Sequence, residues 1–423
     1  MDETSVVTCF LRNRGEVLLL KRSAEVGSYA GLWGGVAGHV GGESDDSADA
    51  AAREEIAEET GLLDACELAR RGVTFEFTDE DLDTRWVVHP YLFDCERRDV
   101  DPNWETAETE WAHPTEILRR ETVPQLWTSY SRVAPTVDAV AEDAERGSAI
   151  LSVRALEVLR DRAGSFAARD STDLEAGGWP ALVAIAERLC EARPSMAAVP
   201  NRVDRAMAAA ADDRTPAALE AAAREGIARA FRVDEDAAAR AAEEIRDGTA
   251  LTISRSGTVR AALPAADRVF VAESRPAREG VGVAEALAGD AEVTLHTDAA
   301  VAYVLATESV DALVVGADAV LPDGTVVNKT GTRPAALAAD REDVPVYAVA
   351  STDKVRTDDA VRLEDGDPTA VYDGAADVSA LNPTFDATPA DLVSAILTER
   401  GALAPAEVSA VAEELRALSA WRE

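Results

Sequence analysis

Gly34-Gly35-Val36-Ala37-Gly38-His39-Val40-Gly41-Gly42-Glu43, a glycine-rich stretch, runs on to Ala52-Arg53-Glu54-Glu55-Ile56-Ala57-Glu58-Glu59-Thr60-Gly61-Leu62. The acidic part reads as the end of a helix from about Ser47 to Thr60, on which Glu55, Glu58 and Glu59 stand at i, i+3 and i+4 and share one face. Like charges so placed repel one another, so something must be gained by the arrangement. Hard divalent cations take oxygen ligands, and carboxylates beside a glycine loop can hold one or more of them against a diphosphate. A solvated acidic face is the plainer alternative in so acidic a chain.

Around this stretch, strand-like segments alternate with turns. Thr4 to Arg12 and Glu16 to Arg22 flank a turn at Asn13 to Gly15; Val73 to Asp79 and Arg85 to Cys95 follow the helix, and a short helix near Pro114 to Arg120 closes the region. The expectation is a mixed α+β domain over residues 1–135. The segment resembles the Nudix hydrolase family, whose box is Gly-x5-Glu-x7-Arg-Glu-U-x-Glu-Glu-x-Gly-U with U aliphatic. Glu58-Glu59-Thr60-Gly61-Leu62 fills its end, with Ile56 on the aliphatic position and Glu55 on the first glutamate. Gly31-Leu32-Trp33 and the strand from Trp86 to Phe93 extend the likeness. Glu54 holds the box arginine position, Arg53 stands one residue early, and the spacing back to Glu43 is longer than in the family. The resemblance implies attack of a metal-activated water on a nucleoside diphosphate derivative. Glu55, Glu58 and Glu59 would be ligands to Mg2+ or Mn2+, and one of them a candidate base.

Residues 136–248 change to alanine-rich helical patterns such as Ser152 to Ala163 and Pro216 to Phe231. Over residues 249–423, short apolar runs recur between helical segments: Ala250 to Ser254, Arg268 to Ser274, Ala291 to His296, Asp311 to Asp318 and Val344 to Ala350. That alternation predicts an α/β fold in which a doubly wound, Rossmann-like parallel sheet follows a helical layer, with ligands at the carboxyl ends of the strands.

Polar residues gather at those ends. Ser254 and Arg255 follow the first run, Glu273-Ser274-Arg275-Pro276 the second, and Asp298 lies beyond the third. Gly316-Ala317-Asp318 closes the fourth, and Asn328-Lys329-Thr330-Gly331-Thr332 comes just after it. Hydroxyls, cations and backbone amides at helix starts suit a phosphate, and one carboxylate among them suits proton transfer. Asp318 and Lys329 could instead pair to hold two loops.

These motifs resemble the family that joins the alpha, beta and delta subunits of translation initiation factor 2B with methylthioribose-1-phosphate isomerase and ribose-1,5-bisphosphate isomerase. Arg193-Pro194-Ser195 with Asn201, and Arg146-Gly147-Ser148, extend the match. By that resemblance Asp318 is the acid/base candidate. Arg146, Gly147, Arg193, Arg255, Arg275, Asn328 and Lys329 would bind the ligand, and no cofactor is expected. The family's isomerases carry a cysteine where this chain has Ser254, whose hydroxyl is far less acidic than a thiol.

Composition bounds the remaining classes. The 423 residues carry 79 acidic and 42 basic side chains, a net charge of −37, which disfavours broad nucleic-acid binding. Lys21, Lys329 and Lys354 are the only lysines, and the arginine, alanine and aspartate bias fits a halophilic protein whose self-repulsion is screened by concentrated salt. No run of 18 apolar residues and no signal-peptide pattern occurs, so a cytoplasmic protein without a membrane segment is expected. Cys9, Cys66, Cys95 and Cys190 have no metal-ligand spacing and read as free thiols.

The expectation is a bifunctional enzyme: Nudix-type hydrolysis of a nucleoside diphosphate derivative, coupled to a domain that binds or isomerises a ribose phosphate. The C-terminal region would assemble it into a homo-oligomer. The alternative is a non-catalytic regulator that senses a sugar phosphate or nucleotide and partners a translation factor.

Overall fold

The computed structural model describes residues 2–41, 45–143, 145–168 and 178–422; Gly42 and Glu43 of the glycine-rich stretch lie outside them. Near-continuous apolar runs from Val7 to Leu11 and from Val17 to Leu20 build two strands that are buried on both faces. They are β1 (Asp2–Asn13) and β2 (Glu16–Arg22), joined at Arg14 and Gly15. With β3 (Trp33–Gly34), β4 (Val36–His39), β5 (Cys66–Arg71), β6 (Phe75–Asp79), β7 (Thr84–Cys95) and β8 (Thr106–Ala112) they form one mixed sheet. At its centre β1 and β7 run parallel, with Val7 opposite His89 and Leu11 opposite Phe93. The remaining pairings are antiparallel.

The acidic helix is α1 (Asp45–Thr60). Ala48, Ala52 and Ile56, at i, i+4 and i+8, bury against Val7, Cys9 and Leu11. That packing fixes the rotation of α1 and leaves Glu55 and Glu59 on a neighbouring stripe. Gly61, at φ +66, ends the helix in the left-handed conformation a C-terminal cap requires. The segment near Pro114 differs from the expected helix. Pro114–Leu118 is a 3-10 turn, started by a proline that cannot extend an upstream helix, and α2 (Leu126–Ser131) follows.

Among the described residues, helices alone follow: α3 (Val137–Glu142), α4 (Ser148–Ala167), α5 (Trp179–Ala192), α6 (Ala198–Ala209) and α7 (Pro216–Glu244). The chain divides into two compact units, the first comprising Met1–Thr136, Glu157–Leu182 and Arg214–Ile227, the second the rest. The first unit is tied by buried charge. Arg12 reaches Asp94 at 2.7 Å and Glu157 at 3.2 Å. Arg160, fully buried, bonds Asp161 at 2.8 Å and the Gly15 carbonyl, while Tyr130 donates to Asp161 at 2.8 Å.

In the second unit the parallel sheet starts with β9 (Thr249–Thr252), α8 (Gly257–Ala262), β10 (Arg268–Ala272), α9 (Glu279–Leu287), β11 (Glu292–His296), α10 (Val301–Thr307) and β12 (Ala312–Gly316). A three-stranded antiparallel sheet of β13 (Ala319–Val320), β14 (Val326–Lys329) and β16 (Phe385–Thr388) is inserted, with α11 (Thr332–Arg341) and β15 (Val346–Val349) between. β17 (Ala395–Thr398), β18 (Gly401–Leu403) and α12 (Val408–Ala417) complete the unit. The order β11-β10-β9-β12-β15-β17-β18 is parallel up to β17, and only β18 runs antiparallel.

The sheet is doubly wound. Leu251, Leu313, Val315 and Ala348 face α10, α11 and α12, while Ala250, Val269, Val314 and Val349 face α7, α8 and α9. Strand order reverses between β9 and β12, and in such folds ligands sit outside the carboxyl ends of the strands at that switch. Ser254 lies just beyond β9 and Asp318 just beyond β12. No described helix is long and apolar enough to cross a membrane.

Candidate functional sites

In the first unit, β4 passes close to α1. A Cβ on Gly38 would fall 1.6 Å from a Glu55 carboxylate oxygen, so the absence of a side chain there makes room for that carboxylate. Glu55 lines a cavity of about 300 Å³ together with Arg22, Tyr29, Trp86, Trp104 and Glu105. Glu59 is 5% exposed and accepts a hydrogen bond from the Ala37 backbone. Burial and the Glu55 charge push its carboxyl up to about 8. Burial, then Glu58 and Glu105, push Glu55 up to about 7. Glu58 itself is exposed and acts on Glu55 through its charge.

Among the described residues no three His, Cys, Asp or Glu side chains already converge on one point as a metal cage. The donor set nevertheless fits a hard cation: carboxyl oxygens are crowded, partly desolvated, and kept from ionising together by burial and mutual repulsion that a cation would relieve. Arg22 lies beside them, its Nε donating to the Ser28 carbonyl at 2.9 Å, and its charge draws the Glu59 pKa down. Across the cavity, the rings of Tyr29 and Trp86 stand 6.2 Å apart at 45°, and Tyr29 donates to Asp79 at 2.6 Å. Arg22, Glu105 and Tyr29 escaped the sequence reading, because they come from a strand end and from loops with no spacing pattern, and Trp86 was marked only as part of a strand; glycines at 27 and 31 were the nearest signal.

The predicted residues of the second unit form two groups. Arg146, Arg193 and Arg255 converge on one loop. Arg146 bonds the Asp143 carboxylate at 2.9 Å, Arg193 bonds the Asp143 carbonyl, and Arg255 bonds the Glu145 carbonyl at 2.8 Å. Gly147 starts α4, its carbonyl accepting from Ile150 and Leu151. Arg193 also meets Glu364 at 2.9 Å, and the Ser195 hydroxyl donates to the same carboxylate.

The second group lies at the strand ends. Ser254 is 8% exposed at φ +61; its N–H donates to Ser274 Oγ at 2.6 Å and its Oγ donates to Glu279 at 3.0 Å. Lys329 pairs with Glu279 at 3.1 Å, and so not with Asp318. Asn328 is buried, donating to Thr332 Oγ1 at 2.9 Å. Arg275 is 63% exposed beside Glu273 and stands outside both groups, although its N–H is held by Asp298.

Asp318 has a neighbour the motifs did not reveal. Lys354, 4% exposed, donates to the Ala317 carbonyl at 2.7 Å; burial lowers its pKa and the Asp318 charge opposes that. The preceding Asp353 is fully buried and bonded by Arg202, Arg205 and Arg229. Burial opposes its ionisation, but the three guanidinium groups overcome this and hold its carboxyl down at about 2. The rarity of lysine was a usable signal for Lys354; nothing local marked Glu279 or Glu364.

Geometry thus defines a carboxylate-lined cavity on a mixed sheet, and a doubly wound sheet with charged residues gathered at its switch point. The chain belongs to the Initiation factor 2 subunit family, which matches residues 144–405, and it carries a NUDIX domain that matches residues 2–133. A ribose 1,5-bisphosphate isomerase of Haloterrigena turkmenica is 33% identical over 315 residues, 67% of this chain and 93% of that protein. A methylthioribose-1-phosphate isomerase of Nostoc punctiforme is 35% identical over 38% of this chain and 48% of that protein. The chain spans about half the length of several such curated relatives. A solved translation initiation factor eIF-2B of Pyrococcus horikoshii OT3 superposes with a TM-score of 0.54 at 26% identity, covering 64% of this chain and 95% of that one.

Proposed function

We propose that the first unit hydrolyses a nucleoside diphosphate derivative with Mg2+ or Mn2+, and that the second binds or isomerises a ribose phosphate. The single observation that carries the hydrolase reading is Glu55, which lines a cavity shared with the rings of Tyr29 and Trp86 and has the buried Glu59 near enough to feel its charge. Glu55 and Glu59 would hold the metal, with Glu58 reaching in from the surface. The metal would supply Lewis acidity and an activated water. Arg22 is placed to take a phosphate oxygen, and Tyr29 with Trp86 to stack a flat heterocycle. Glu105 is a carboxylate at the same cavity able to accept a proton from water.

For the second unit, support comes from the Ser254, Lys329 and Asn328 group at the strand ends, from the arginines gathered at Asp143 and Glu145, and from the relative that carries ribose 1,5-bisphosphate in its name. Residues 1–135, 136–248 and 249–423 are taken as the working divisions. The setting we infer is a cytoplasmic homo-oligomer adapted to concentrated salt. A second reading, ligand sensing without turnover and in contact with a translation factor, is favoured by Ser254 standing where the isomerases have cysteine.

The test is incubation of the full chain in molar salt with Mg2+ and a panel of nucleoside diphosphate sugars. Release of nucleotide or phosphate that is lost in Glu55→Gln is expected. No release from any member, or release unaffected by Glu55→Gln and Glu58→Gln, overturns the hydrolase reading.

A further inference from the structure

Three elements of the second unit bring polar side chains to one carboxylate. Glu279, the first residue of α9, accepts from Ser254 beyond β9 at 3.0 Å and forms an ion pair with Lys329 at the end of β14 at 3.1 Å. Ser254 is held in the left-handed region by its bond to Ser274, which is also left-handed and is itself pinned by Asp298 at 2.7 Å. A serine stays in that conformation only where its surroundings impose it. The Glu279 and Lys329 side chains keep 19% and 27% of their surface exposed, so the pair is open to a small molecule.

The chemistry of the trio differs from that of a lone serine. A hydroxyl that donates to a carboxylate still has lone pairs to accept a proton, so it can pass one on that it could not keep. A phosphate arriving at Lys329 would draw the ammonium away from Glu279 and leave its carboxylate oxygens open to the proton that Ser254 passes on.

We propose that Glu279, acting through the Ser254 hydroxyl, accepts the proton in isomerisation of an aldose 1-phosphate, supplying the function that cysteine has in the family's isomerases. The inference rests on the ribose-phosphate reading above. The bond from C1 to the ring oxygen breaks, its electron pair stays on that oxygen, and the oxygen takes a proton from Asp318. The hydrogen on C2 moves with its electron pair to C1. The C2 hydroxyl gives its proton to Ser254, whose own proton passes to Glu279, and C2 becomes the ketone. One proton is given and one taken, with no net oxidation.

The test uses the full chain with ribose 1,5-bisphosphate, following ketose formation by turnover and binding by calorimetry. Glu279→Gln should lower kcat about 100-fold or more while leaving the dissociation constant equal or tighter, because a negative charge beside the phosphate is gone. Ser254→Ala should lower kcat at least about 10-fold, and Ser254→Cys should retain turnover. Thermal midpoints within a few degrees of the parent show that the variants fold. If Glu279→Gln turns over as fast as the parent or faster, Glu279 is a plug on Lys329 and the proposal fails. A parent that binds without turnover also defeats it but leaves the ribose-phosphate reading standing. No binding by the parent or by Ser254→Cys overturns both.

Discussion

Replacing Glu59 by glutamine should stabilise the metal-free protein while removing its response to Mg2+. The carboxyl ionises near 4.5 in a free chain and is held up at about 8 in the fold, mainly by burial and then by Glu55. A folded pKa above the unfolded one means that this contribution to stability is full below pH 4.5 and is lost as pH rises to about 8. At about 1.4 kcal/mol per pH unit, keeping Glu59 protonated at pH 7 withholds roughly 3 kcal/mol. Glutamine has the same shape, keeps an oxygen for the Ala37 N–H, and has no charge to desolvate. For a unit of this size the gain corresponds to roughly 6–12 °C in thermal midpoint. The assay is thermal unfolding in molar salt with chelator from pH 5 to 9, then with excess Mg2+. The parent's midpoint should fall across this range and recover with Mg2+, most at the alkaline end. Glu59→Gln should show a shallower fall and little recovery. A variant that unfolds no higher than the parent at pH 8, or keeps the parent's Mg2+ shift, would refute the reasoning.

Other outcomes follow from the same structure. Gly38→Ala should leave stability within about 1 kcal/mol, since the clash is with a movable side-chain end, yet cut Mg2+-dependent hydrolysis at least about 10-fold by displacing Glu55; unchanged hydrolysis would show that Glu55 needs no such room. Arg160→Met should cost about 3–5 kcal/mol in chemical denaturation, because Asp161 stays buried without its cation; a cost below about 1 kcal/mol would contradict the buried-network account. Asp353 has a folded pKa of about 2, below its unfolded value, so its contribution is full above pH 4 and lost as pH falls toward 2. Asp353→Asn should therefore flatten that acid limb and lower stability at neutral pH by about 3–5 kcal/mol, measured by denaturation across pH.

Periodicity and spacing carried the fold a long way. Ala48, Ala52 and Ile56 announce which side of α1 is buried, and the apolar runs from Ala250 to Ala350 mark five strands of the parallel sheet. The inserted strands β13, β14 and β16 and the edge pair β17 and β18 were missed; each has only two to four residues. The site was legible where chemistry sits in a contiguous motif, as with Glu55 and Glu59 or Asn328-Lys329. It was not where one side chain answers another across the chain.

The amino-acid sequence by itself determined the family, the doubly wound architecture and the acidic helix, because these depend on local periodicity and on residues that stand close together in the chain. Tertiary structure alone decided the partnerships. Lys329 meets Glu279, 50 residues away in sequence, and not Asp318, which is nearer; Glu364 reaches back 171 residues to Arg193. Even the net charge of −37 says little about either cleft. Electrostatic energy depends on separation in space and on burial, and only the fold sets both.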